Sequence, residues 1–232
     1  MYILSIAGLI AIYVIIIFTL PKLKNVKLFN ALFCLITFAF YAAGSIVTLT
    51  KVGFNDWNFQ NTLPTANVSP FMFTFILLYF VLPDTLKKYL LTLISLLSVG
   101  MFFAACISGI YFQSIAYKFH PSFLLDYIAH FALSLWGVYA VVSGQVDLNK
   151  KNVLKSGSII VIVAAIMTII NVIFDTAFFG LSLNGKHNIY NFVLVENSYL
   201  SALLYFIGLI AVLATGYAFQ RTIKSVFLKK KI

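Results

Sequence analysis

Long apolar runs separated by short polar breaks set the pattern of this chain, and each run has the length of a membrane-crossing helix. A hydrocarbon core of about 30 Å takes about 20 residues in an α-helix. Seven segments qualify: residues 2–20, 28–49, 69–86, 88–110, 123–144, 157–181 and 198–220. The third has Pro83 and Asp84 near its end, yet it runs without interruption from Pro70 to Leu82, and Pro70 suits a first helical turn. The short break PDTLKK makes spans three and four antiparallel neighbours. No inverted repeat of the transporter kind stands out. The pattern predicts an all-α fold, a polytopic membrane protein built as a seven-transmembrane-helix bundle, with residues 1–232 forming a single integral membrane domain.

The lysines test the number of spans and their orientation. Breaks one, three and five and the C-terminal tail hold Lys22, Lys24 and Lys27, then Lys87 and Lys88, then Lys150, Lys151 and Lys155, then Arg221, Lys224 and Lys229 to Lys231. The other side holds Lys51, Lys118 and Lys186. A split of thirteen to three that alternates at every break is a positive-inside signal. It predicts the N-terminus outside and the C-terminus in the cytoplasm, and adding or removing one span would scramble it.

Composition agrees. A hydrophobic content of 62%, a charged content of 9% and a mean hydropathy of +1.02 over 232 residues exclude a soluble domain. The net charge of +10 does not indicate nucleic acid, because the basic residues sit in short runs between apolar segments and not on one face or arm. Anionic lipid and topology account for them. Cys34 and Cys106 fall inside apolar segments, as buried thiols do, and have no metal-type spacing. The first twenty residues lack a basic n-region and a small-residue cleavage site, so they read as a retained span. Fifteen Lys against one Arg, with abundant Ile, Phe and Asn, is the bias of an AT-rich bacterial genome and points to a multi-pass protein of the bacterial plasma membrane.

The candidate chemistry lies in the outer halves of spans five and six. Ionisable groups within a crossing helix are costly and normally face a bundle interior or a wet cavity. Asp126 and His130 are four residues apart on span five, and Asn171 and Asp175 are four apart on span six, so each pair shares a helix face. At about 1.5 Å per residue all four lie within roughly 15 Å of the outer ends of their spans. The expectation is that the two stripes, with Thr176 beside them, face each other across an outward-opening polar pocket. The alternative is a polar clamp that pins two helices together. Asp126 would hold the imidazole protonated or fix its tautomer. Ser95, Ser98, Gly100, Ser108 and Gly109 on span four are small residues that permit close helix approach. In the outer loops, Trp57 suits an interfacial anchor and Glu196 a helix N-terminus. His120 and His187 have no ligand spacing with His130, so no metal site is expected. No nucleotide loop, serine elbow or zinc-protease motif occurs, and no cofactor is implied.

Three stretches carry a resemblance: LPTANVSPFMF, DYIAHFALSLWGVYAVVSG and TIINVIFDTAFFGL. Together they resemble the YwaF-like family of bacterial multi-pass membrane proteins, to which an animal membrane acyltransferase acting on ether phospholipids is distantly similar. The resemblance carries over His130, Asn171, Asn67 and Ser69 as site residues. It does not carry over the family's His-x-Cys pair, because Pro64 and Ala66 stand at those positions. A covalent acyl route needs a nucleophile beside a base, and here the thiol is missing.

Three functions follow as expectations. The first is binding or passage of a small polar solute or a lipid headgroup, with Asn171, Asp175, Asn67 and Ser69 as ligand contacts and membrane lipids as partners. The second is a lipid-modifying enzyme using His130 as general base and Asp126 as its orienter. The third is a non-catalytic subunit whose helices serve other proteins.

Overall fold

The computed structural model describes residues 2–52, 68–113, 121–174, 179 and 198–228. Every regular element among them is helical. In chain order they are α1 (Tyr2–Thr19), α2 (Val26–Val52), α3 (Val68–Phe75), α4 (Asp84–Gln113), α5 (Pro121–Val142), α6 (Lys150–Phe174) and α7 (Ser198–Leu228). Short 3-10 turns follow α1 at Leu20–Lys22 and α3 at Ile76–Phe80. Among the described residues five helices, α2 and α4 to α7, are long and apolar enough to cross a membrane.

Local chemistry sets the ends. The Asn25 carboxamide accepts from Leu28 N–H at 3.1 Å to start α2, and the Asn149 carboxamide accepts from Asn152 N–H at 2.8 Å to start α6. Helix α5 ends at Val142, two residues before Gly144, whose φ of +77° lets Gly144 N–H reach Val141 O and Gln145 N–H reach Ala140 O, both at 3.0 Å. Pro70 lies in the first turn of α3.

Predicted and observed bounds differ most at the third, sixth and seventh spans, the seventh running to Leu228, eight residues past the predicted 220. The third, 69–86, is a helix of eight residues that tightens into five residues of 3-10 and ends at Phe80. Its described part, Val68 to Phe80, is about 22 Å long. Pro83 disfavours helix at the residue before it, and its carbonyl accepts from Leu86 N–H and Lys87 N–H, so α4 begins at Asp84. The sixth, 157–181, begins seven residues early at Lys150 and does not run to 181 as helix. Phe179 has φ +58°, outside the right-handed region, and is buried edge-on to Phe71 of α3 at 5.6 Å.

α4 and α5 form the core pair. Their apolar windows are 67% and 72% buried, against 22% for α2, α6 and α7, which therefore lie outside them. α2 packs on α5, while α6 and α7 pack on α4. Small residues bring the core pair together: a Cβ at Gly137 would lie 2.8 Å from Ile94 O and from Ser98 Cβ. Ser134 Oγ donates to Ser98 O at 2.7 Å and is joined to the Tyr13 hydroxyl of α1 at 2.6 Å. Gly216 does the same for α7, where a Cβ would collide with the Leu96 carbonyl, and Gln220 Nε2 donates to Ser98 Oγ at 2.8 Å.

The outward faces are apolar. Leu154, Ile162, Ile169, Ile173 and Phe174 on α6 are all more than half exposed, as are Leu203, Ile207 and Ile210 on α7. Continuous aliphatic surface of this kind is complementary to lipid and not to water. The basic breaks, by contrast, gather at one end of the bundle. Tyr79 of the α3 turn and Gln145 after α5 both bond Asn30 of α2, and Phe18 of α1 meets Phe227 of α7 with ring centroids 5.3 Å apart.

Candidate functional site

His130 sits on α5 one turn after Asp126, and helical geometry brings the two together. Its Nδ1 lies 2.9 Å from the Asp126 carbonyl oxygen and 3.3 Å from Asp126 Oδ2. A carbonyl oxygen can only accept, so Nδ1 carries a proton. In the neutral ring the lone pair is then on Nε2, which has no hydrogen-bond partner among the described residues. The imidazole is buried, while the Asp126 side chain is 40% exposed.

Three helices shape the surroundings. Gly44 places α2 in contact with α5 here: a Cβ there would sit 3.4 Å from Leu125 Cβ and 4.0 Å from Asp126 N, ordinary packing distances. One turn away, the Tyr41 hydroxyl lies near Ser45 and Thr74 and within the field of the Asp126 carboxylate. Phe73 of α3 stands edge-to-face against His130 at 4.8 Å and packs on Tyr41 at 5.2 Å. The imidazole therefore has an aromatic wall on one side and a carboxylate that reaches the surface on the other.

The remaining sequence-derived residues are distributed differently. Asn171 is buried on α6, on the face that carries Ser156, Ile160 and Ala164. That helix packs on α4 and α7, and α5 is not among its substantial neighbours, so the two polar stripes lie on helices that α4 separates. Ser69 opens α3 and donates to Met101 Sδ of α4 at 3.7 Å. It lines a cavity of about 200 Å³ between α3, α4 and α7, with Tyr205 and Gly208 on its far wall. Asn67 and Asp175 lie outside the described residues, as do Trp57, His120, Thr176, His187 and Glu196. Among the described residues no group of three His, Cys, Asp or Glu could hold a metal ion. Cys34 and Cys106 are free and buried, and Cys34 Sγ donates to Ile76 O at 3.4 Å.

Sequence reasoning overlooked a second polar centre, at the basic end. Asn30 is fully buried, donates to the Tyr79 hydroxyl at 3.0 Å and to Gln145 Oε1, and accepts from Trp136 Nε1 at 2.9 Å. The signal was an asparagine within span two, the same kind of signal that singled out Asn171. Its four groups satisfy one another and tie α2, the α3 turn and α5 together, which is the work of a clamp. Tyr41, Ser45 and Thr74 were overlooked too, because hydroxyls are common in crossing helices and carry no distinctive spacing.

Compared with protein-family models, with curated proteins and with solved structures, the chain has no match.

Proposed function

We propose that this is a seven-crossing protein of the bacterial plasma membrane, N-terminus outside and C-terminus in the cytoplasm, whose Asp126–His130 pair serves an outward-facing polar pocket. The pocket takes a small polar solute or a lipid headgroup. One observation carries the reading: the Asp126 carbonyl oxygen lies 2.9 Å from His130 Nδ1, so the neutral ring keeps a lone pair on Nε2, next to an Asp126 side chain that is 40% exposed. A clamp would be expected to use both ring nitrogens, as the Asn30 centre uses its whole amide. The thirteen-to-three division of basic residues supports the orientation. α1 and α3 complete the crossings, α3 reaching the basic end through its 3-10 turn. The YwaF-like resemblance is consistent with this reading, and membrane lipid covers the exposed aliphatic faces.

A second reading, a lipid-modifying enzyme with His130 as general base, is favoured by the same tautomer. A base needs its lone pair on the nitrogen opposite its orienter, and Asp126 would be that orienter.

Native mass spectrometry of the protein extracted in mild detergent tests the first reading. Wild type should retain a lipid or small solute that His130→Ala and Asp126→Asn both lose while unfolding at an unchanged temperature. Equal retention by all three proteins overturns it. Release of fatty acid or headgroup from phosphatidylethanolamine and phosphatidylglycerol vesicles, present in wild type and lost in His130→Ala, would favour the enzyme instead.

A further inference from the structure

A second cavity, of about 300 Å³, opens between α3, α4 and α6 at the basic end of the bundle. It lies beside the 3-10 turn over Ile76–Phe80, from which Leu78 lines it. Its lining is aliphatic, with Leu82, Leu86, Leu90 and Ile159 prominent, and its polar members are Tyr89 and Lys155. The Lys155 ammonium lies 5.8 Å from the Tyr89 ring centroid and has no carboxylate partner among the described residues. Two carboxylates near this end are otherwise engaged: Asp84 with Lys87 and Asp147 with Asn149. Lys151 precedes Lys155 by four residues and Ile159 by eight, so a second ammonium sits on the same face of α6, nearer the helix end.

We propose that this cavity seats an acyl chain of an anionic phospholipid whose phosphate is held by Lys155 and Lys151. The aliphatic lining suits a hydrocarbon chain and would be poorly matched to a polar solute. The Lys155 stem lines the apolar wall, and a long amphipathic side chain of this kind carries its ammonium up to headgroup level, where Lys151 stands one turn nearer the helix end. An anionic headgroup gains about fivefold in occupancy per lysine over a zwitterionic one. The site stands apart from the Asp126–His130 pocket and needs none of its residues.

Diazirine-tagged phosphatidylglycerol and phosphatidylcholine, each in nanodiscs holding the full chain, provide the test, with adducts mapped by mass spectrometry. Phosphatidylglycerol should label the segments around Leu82, Leu86 and Ile159 in preference to phosphatidylcholine. The double variant Lys151→Ala, Lys155→Ala should lose that preference, and Leu86→Trp should lose the labelling while keeping both lysines. Lys224→Ala and His130→Ala should leave it unchanged, so failure here is distinct from failure at the outer pocket. Equal labelling by the two lipids, or labelling that survives both the double variant and Leu86→Trp, overturns the proposal.

Discussion

Ser95 of α4 donates its hydroxyl to the carbonyl of Gly137 on α5 at 3.0 Å, across a gap too narrow for a side chain at residue 137. The same hydroxyl also bonds Leu91 O on its own helix at 2.8 Å. Backbones this close are held by packing and polar contact, since lipid supplies no hydrophobic drive to bring apolar helices together. Gly137→Ala and Gly216→Ala should each destabilise the fold by about 1–3 kcal/mol, the usual cost of overpacking. Gly157→Ala should be close to neutral, because its Cβ would meet only Leu213 and Leu96 methyls at 3.6 and 3.8 Å. Thermal unfolding of the three variants in one detergent reads the difference.

Asn30 and Trp136 form the other close relationship, and its loss should be felt at a distance. Trp136→Phe removes the donor to Asn30 Oδ1, while Asn30→Leu strands the Trp136 indole N–H and the Gln145 amide oxygen. Each should cost about 0.5–2 kcal/mol, the lower figure reflecting how modest such bonds are within membranes. The double variant should be less destabilised than the two single changes added together, because the partners are lost as a pair.

The His130 tautomer is directly observable. Nitrogen NMR of the protein labelled at histidine should show that the neutral form of the ring carries its proton on Nδ1, with the signal assigned by its disappearance in His130→Gln. A ring protonated at Nε2 would contradict the bond to the Asp126 carbonyl.

Orientation can be read by labelling with a membrane-impermeant maleimide in intact cells. Background should be low, as Cys34 and Cys106 are both buried. Lys186→Cys should react from outside, while Lys88→Cys and Lys155→Cys should react only after permeabilisation. Reaction of Lys155→Cys in intact cells would invert the topology.

How much was legible in advance varies by element. The order of the helices and the pairing of Asp126 with His130 follow from apolar run length and from the four-residue helical repeat, both local properties of the chain. The end of α3 was harder, because the helix tightens and stops inside an apolar stretch whose composition does not change until Pro83. The positive φ of Phe179 was invisible, as a phenylalanine at +58° follows from nothing in its own preferences and is seen only with its burial against Phe71.

By itself the sequence determined that the chain is helical, apolar on its outer faces and basic at one set of helix ends, because each of these depends on what neighbouring residues are. Which helices touch was decided by the tertiary structure alone. Uniformly apolar helices carry no stripe that names a partner; the close fits at Gly137 and Gly216 joined α4 to α5 and to α7, and α4 came to lie between Asp126–His130 and Asn171.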